Sequence, residues 1–495
     1  MINHHIPDQP GLVLESDLAG EFPLYLYWPQ DQSTLLYSTS ITELLNDARV
    51  PKPLTVSTEG LSFLLQSGVV PPPKTAYRDI FILGIGDKAN VSTVNGKVDI
   101  QFSHEFPFLN ASRLPEGSMQ IDKNAIFEML AEAVKSRLDK SKPIYLFHSA
   151  GKDSNPIAIA LAKAGLKENV TLVTHRTKKK GDESEISKSI AQKLGFKHRI
   201  LNEVEHLEEL HLKNIKKHFS ESPFPCTDNV SLVYPLYVAQ FPELAGANII
   251  DGMGSDVYIG HVPSMAEFKR EKLSSVFKYF RWLSDYLPSS SRLKSLIRTR
   301  SEWTGLGGLS FKDSKIILPN ANKSSSYWLR RDTSADYLDF RASVRGQLID
   351  QEIYMRKVRN FTDAFKSNLI FPWTNPKIAN YFSQMPEKFL IDRKNLRNKV
   401  LLRGILKEEI DLDSDKLGKM GYSYDSKTMV LENLNWIEDE IKNCTYWDDK
   451  GVRFWLDQQI THLKQSGLKS DKASMYIYKV FLVSSWLNHS RYIAR

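Results

Sequence analysis

The sequence predicts an α/β protein built on a parallel sheet, and three features carry that prediction. Between residues 143 and 251, short apolar strands alternate with helical segments at the spacing of β-α-β units. Two loops of small residues, 149–154 and 252–256, follow directly on two of those strands, at the carboxyl edge where ligands of open parallel sheets bind. From about residue 262 onward the chain reads as largely helical and is rich in Trp, Tyr, Lys and Arg.

The elements follow in order. The first 110 residues carry β and turn signals: 23–28 and 34–37 are expected to pair around a polar turn, and 41–45 and 59–66 have helical periodicity. Pro51, Pro53 and Pro71-Pro72-Pro73 punctuate this part. Ile126, Leu130, Ala133, Val134 and Leu138 then share one helical face. The alternation runs strand 143–147, helix 156–164, strand 170–174, helix 183–194, strand 197–202, helix 230–239 and strand 248–251. A Gly-rich interruption at 305–308 divides the helical remainder.

Composition narrows the function classes. A chain of 495 residues is too long for one core and suffices for two or three domains. With 41% hydrophobic and 25% charged residues it reads as globular, not disordered. No run of about 18 apolar residues exists, and Met1-Ile2-Asn3-His4-His5 lacks the regions of a signal peptide, so the expected location is cytoplasmic with no membrane partner. Cys226 and Cys444 form neither a disulfide framework nor a metal-ligand spacing. The net charge of +8 is spread along the chain, so nucleic acid is not an expected partner. The run His175-Arg176-Thr177-Lys178-Lys179-Lys180, just past a strand, reads as a solvated loop.

The loop Ser149-Ala150-Gly151-Lys152-Asp153-Ser154 joins a strand to a helix with Pro156 in its first turn. Ala150 and Gly151 let the backbone approach an anion, and the helix aims N–H groups and the positive end of its dipole at the same point. Ser149 and Ser154 add hydroxyl donors, and Lys152 adds a charge. Asp153 makes sense beside a polyphosphate when a divalent cation lies between them. The loop is not a Walker A sequence, because Leu146 stands where its first Gly belongs and Asp153 follows Lys152. It resembles the Ser-Gly-Gly-x-Asp-Ser pyrophosphate loop of enzymes that cut ATP between its α and β phosphates.

The second loop, Gly252-Met253-Gly254-Ser255-Asp256, should project the Asp256 carboxylate over the same sheet edge. Asp153 and Asp256 together are then a candidate Mg²⁺ site, completed by phosphate oxygens. Adenine is placed against the second strand, near Leu172, Val173 and Thr174. His148 and His261 flank the two loops and are read as hydrogen-bonding a turn.

The ordered set of motifs resembles the synthetase domain of the asparagine synthetase family, with its β-lactam synthetase and lasso-peptide cyclase relatives. Asp182-Glu183-Ser184 resembles the family's Asp-Glu-Ser, Glu221-Ser222-Pro223 its Asp-Glu-Pro, and residues 252–256 its Gly-Glu-Gly-Ser-Asp. Phe371-Pro372-Trp373 resembles its Val-Pro-Phe, Lys399 to Arg403 its Lys-x-x-Leu-Arg, and Lys419-Met420-Gly421-Tyr422 its Lys-Gln-Gly-Phe. The resemblance implies an adenine nucleotide α-hydrolase-like synthetase domain over 120–495, preceded over 1–115 by a small α+β remnant of a glutaminase-like domain. Ile2 stands where glutamine-dependent relatives carry a nucleophilic cysteine, so no glutamine hydrolysis is expected. The implied chemistry is adenylation of a carboxylate by ATP with Mg²⁺, release of pyrophosphate, and displacement of AMP by an amine or ammonia. Asp153, Asp256 and Lys419 are its catalytic candidates, Lys419 as the lysine that stabilises pyrophosphate.

Departures bear on the substrate. Val257 replaces the Glu that follows the second Asp, Met253 replaces the Glu between the glycines, and Ser367 and Asn368 replace Leu-Glu. These losses argue against aspartate and leave a small-molecule or peptide carboxylate, with ammonia, an amine or a peptide-processing partner supplied separately. A lasso-type macrocyclase is the alternative within the class. A tRNA-modifying adenylating enzyme and a scaffold with a decayed site are alternatives outside it.

Overall fold

Two antiparallel sheets open the chain in the computed structural model, which describes residues 2–7, 9–177, 181–291, 293–304, 307–331, 336–418 and 424–494. Strands β1 (Asn3–His5), β4 (Leu35–Ser38), β3 (Leu24–Tyr27) and β5 (Ile80–Leu83) form the first in that order. Strands β2 (Leu12–Glu15), β6 (Asp87–Val94) and β7 (Lys97–His104) form the second. The sheets enclose Leu14, Leu26, Leu35, Leu83, Val91 and Val98. β3 and β4 pair around a polar turn as expected, whereas β6 and β7 go beyond what the sequence signals; Asn95-Gly96, both at positive φ, make the tight turn between them. Helices α1 (Ile41–Asn46) and α2 (Thr58–Ser67) start at Ser40 and Ser57, whose side chains cap them.

The central sheet is parallel throughout, as expected from the alternation. Its order is β10 (Lys197–Asn202), β9 (Val170–Arg176), β8 (Ile144–Phe147), β11 (Asn248–Ile250) and β12 (Asn368–Ile370). Helix α3 (Lys123–Lys135) leads into it, and α4 (Ser154–Lys163), α5 (Ser184–Leu194), α6 (Glu209–Glu221) and α7 (Val233–Gln240) connect its strands. Strand order reverses at β8, which has β9 on one side and β11 on the other. The crevice at that switch point is where open α/β sheets bind ligands. The two small-residue loops leave β8 and β11, so both border it.

β12 carries no strand signal in the sequence. It is three residues long and joins the sheet from more than a hundred residues downstream, which leaves no periodicity to detect. Before it, the helix Tyr337–Arg345 passes through a π-helical stretch, Gly346–Met355, into the helix Arg356–Phe365. This buried rod ties the N-terminal sheets to the central one. Ile85 N–H donates to Gln351 Oε1 at 2.8 Å, the Gln347 amide to Asp87 at 2.6 Å, and Arg356 to the Tyr25 hydroxyl at 3.2 Å. One apolar cluster consequently includes Tyr25 and Leu64 from the front, Leu146 and Ile249 from the sheet, and Trp486 from the long helix Leu468–His489.

The motif Glu221-Ser222-Pro223 lies in this seam and not at the switch point. Ser222 O accepts from the Trp486 indole at 3.0 Å, and Pro223 O accepts from the Tyr77 hydroxyl at 2.7 Å. Tyr77 is buried, its ring packed on Trp486 and Phe224. Tyr77→Phe keeps both ring contacts and orphans the buried carbonyl, so we expect a loss of about 1–2 kcal/mol, read from the shift of the urea unfolding midpoint.

Candidate active site

The first loop is held by its own hydroxyls. Ser154 Oγ accepts from Ser149 N–H at 3.2 Å, Ser149 Oγ accepts from Gly151 N–H at 3.0 Å, and the Asn155 amide donates to Ser149 O and Gly151 O. Ala150 N–H donates to Glu183 Oε2 at 2.8 Å. Burial pushes the Glu183 carboxyl up, and the Ala150 N–H and Lys152 pull it back. The contact ties the first loop to the start of α5.

The second loop closes on the first by virtue of its glycines. A Cβ on Gly252 would stand 3.1 Å from Ser154 N and 3.2 Å from Asp153, and Gly254, at φ +106, faces Thr374 Cγ2 where a Cβ would be 2.5 Å away. Ser255 Oγ donates to Asp153 Oδ1, and the Trp373 indole donates to Asp153 O at 2.9 Å. The Phe371-Pro372-Trp373 segment therefore braces the first loop from the end of β12.

Asp153 and Asp256 converge as expected, and the group between them is Lys399. Its ammonium lies 2.5 Å from Asp153 Oδ1 and 2.9 Å from Asp256 Oδ1. Lys399 is buried in a left-handed conformation, φ 58, at the start of the helix Val400–Ile410. Burial would lower its ammonium, but the two carboxylates outweigh that and hold it well above the ordinary lysine range. Burial would likewise raise Asp256, but Lys399, with His261 and Arg345, brings its carboxyl down to about 2. Lys152 joins this cluster: burial and the Arg403 and Lys399 cations push its ammonium down, against the pull of Asp153 and Asp256. The arrangement is a pair of carboxylates around one cation, with further cations beside them.

Among the described residues no group of three or more His, Cys, Asp or Glu side chains gathers as a metal site. Two carboxylates already enclosing a cation nevertheless have the hard-oxygen donors of a Mg²⁺ site completed by phosphates. Lys399 is not among the site residues that the sequence singles out; its signal is the Lys-x-x-Leu-Arg spacing of Lys399 to Arg403, which assigns no role without the fold. Lys419, with residues 420–423, lies outside the described residues.

Other readings land differently. Leu172, Val173 and Thr174 are buried; the backbone of Leu172 and Val173 pairs with β8 on one side and β10 on the other, and Thr174 pairs with Ile200 of β10. Thr174 Oγ1 contacts Ser187 Oγ at 2.5 Å and His198 Nε2 at 3.0 Å. Asn368 needs correction as an indicator of substrate. It is the first residue of β12, level with Asn248 at the amino edge of the sheet, where its amide donates to Arg137 O and Asn248 Oδ1, both at 2.7 Å. A side chain at that edge cannot reach a ligand beyond the carboxyl edge, so the replacement says nothing about the acceptor. Val257 is fully buried. Tyr258 is a core aromatic whose hydroxyl donates to Trp373 O at 2.8 Å.

His148 is buried between Ser187 Oγ at 2.6 Å and Asn155 Oδ1 at 3.1 Å, and burial lowers its ring to about 3, so it bonds the turn as a neutral group. His261 pairs with Asp350 at 2.6 Å.

Asp251, at the root of the second loop, is pushed up to about 6 by burial, against Lys357 and the Met253 N–H. The folded state then holds a proton that the unfolded state, near 3.8, has lost, so stability falls as pH rises through that window. Asp251→Asn keeps an acceptor for Met253 N–H and removes the titration. Its thermal midpoint should gain on the parent's from about pH 4 to pH 6 and hold a constant lead above that. Lys399→Met leaves two carboxylates facing each other, and we expect a lower midpoint and loss of nucleotide binding by calorimetry.

The family model described as asparagine synthase matches residues 125–479. A comparison with curated proteins found no match. The matched span contains the whole parallel sheet and both loops and covers well over half of the chain. The chain therefore belongs to the asparagine synthase family, with the ATP-dependent, amide-forming ligase activity that the family supports in general terms.

Proposed function

We propose that the chain adenylates a carboxylate with ATP and passes the acyl group to an amine or to ammonia supplied from outside. The observation that carries this reading is the convergence of Asp153, Asp256 and Lys399 beside the loop 149–154 at the switch point of the sheet. In the first step a carboxylate oxygen attacks the α-phosphorus of ATP, the bond to the β-phosphate bridging oxygen breaks, and pyrophosphate leaves with the electron pair. Charge grows on the leaving pyrophosphate. Lys152 in the loop and Lys399 beside it would offset this charge, with Lys419 proposed to join them. Mg²⁺ on Asp153 and Asp256 would supply further positive charge there. In the second step the amine attacks the acyl carbon, AMP leaves, and the nitrogen gives up a proton.

The nitrogen donor comes from outside because neither thiol here suits glutamine hydrolysis. Cys226 and Cys444 are buried, and burial pushes them up to about 11 and about 12. The replacement of the family's carboxylate by buried Val257 favours an acceptor other than aspartate.

Pyrophosphate release with ATP, Mg²⁺ and a panel of small-molecule and peptide carboxylates tests the reading. One or more carboxylates should drive formation of AMP and pyrophosphate, and Asp153→Asn or Lys399→Met should slow it by roughly a hundredfold or more. Failure of the whole panel, together with retention of cellular function by Asp153→Asn, would overturn the proposal.

A further inference from the structure

The segment that follows the site turns its polarity inside out. It comprises the helix Met265–Phe277 and the 3-10 helix Lys278–Tyr286. In the second of these, Arg281, Ser284 and Asp285 are buried, the guanidinium 2.9 Å from Asp285 and 2.6 Å from Glu302. The large apolar side chains point the other way: Tyr279 is 80% exposed, Tyr286 63%, Trp282 58% and Phe280 52%. Leu273, Val276 and Phe277 carry the same face back along the first helix at helical spacing. A contiguous run of exposed aromatics of this kind marks an interaction surface, because leaving it in water forfeits the free energy of burial.

The charges around the face bear on what could cover it. Glu271 and Asp285 are turned inward and neutralised by Arg341 at 2.7 Å and by Arg281. The outward charges of the segment are then Lys269, Arg270, Lys272 and the half-buried Lys278, against Glu267. Aromatic bodies flanked by cations match a segment lying in the headgroup layer of an anionic bilayer: the rings enter the acyl boundary while ammonium and guanidinium groups meet lipid phosphates. We propose that residues 265–286 dock the chain on an anionic membrane surface. The expectation of no membrane partner rested on the lack of a long apolar run, and among the described residues no helix is long and apolar enough to cross a bilayer. Lying on the surface requires neither.

Cosedimentation of the full chain with vesicles tests this. Vesicles of equal parts phosphatidylcholine and phosphatidylglycerol should pull down the protein, vesicles of phosphatidylcholine alone should bind it roughly tenfold less, and added salt should weaken the first. The exposed pair Tyr279→Ser with Trp282→Ser, and separately Lys269→Glu with Lys272→Glu, should each cut binding to anionic vesicles roughly tenfold while circular dichroism and thermal midpoint stay those of the parent. No binding to anionic vesicles would overturn the proposal, as would binding indifferent to both variants. So would light scattering that shows a dimer broken by Trp282→Ser in protein that ignores vesicles.

Discussion

The ammonium of Lys399 between Asp153 and Asp256 is the contact on which the rest of the site depends. Two carboxylates drawn from different loops repel each other, and bringing them to one point requires a cation in the same place. Lys399 supplies it from a third element, the start of the helix Val400–Ile410. Charge thus couples three segments separated by more than a hundred residues each. Removing one member of such a cluster leaves the others uncompensated, which costs more than the cluster's net contribution to stability. The carboxylates are thus arranged around a cation, and Lys152 and Arg403 add positive charge nearby.

That electrostatic arrangement is possible because backbone meets backbone at the sheet edge. Gly252 approaches Asp153 and Ser154 more closely than a side chain would allow, and Gly254 turns the second loop in a conformation that glycine favours. Trp373 reaches in from β12 to hold the Asp153 carbonyl. These contacts lie on both sides of the strand-order reversal, so topology and local loop chemistry agree on one location. The agreement is stronger support for a ligand site than either loop alone, since each loop considered separately is also compatible with an ordinary capped turn.

The front of the molecule is stabilised in another way. Its two antiparallel sheets enclose a small core of their own, and the rod of helix from Tyr337 to Phe365 joins them to the parallel sheet through buried hydrogen bonds to Gln347, Gln351 and Arg356. Tyr77 and Trp486 close the seam around the carbonyls of Ser222 and Pro223. The Glu221-Ser222-Pro223 motif serves here as a joint. The face of residues 265–286 shows the reverse arrangement, with a buried ion cluster inside and aromatics outside, a pattern that packing within one chain does not explain.

By itself the sequence determined the parallel sheet, its four leading strands and both loops, because these depend on hydrophobic periodicity and on small residues at strand ends, which are local properties. It also singled out Asp153 and Asp256, whose placement follows from their loops. Tertiary structure decided what lies between them. The Lys-x-x-Leu-Arg spacing marks Lys399 in the sequence without giving it a role, and only the packing of the helix Val400–Ile410 against α4 brings its ammonium to the carboxylates. Tertiary structure also added β12, too short to show a period, and moved Asn368 to the far edge of the sheet, because strand direction and register are set by pairing partners distant in the chain. Electrostatic partners and strand registers are pairwise quantities, and a linear reading contains one member of each pair at a time.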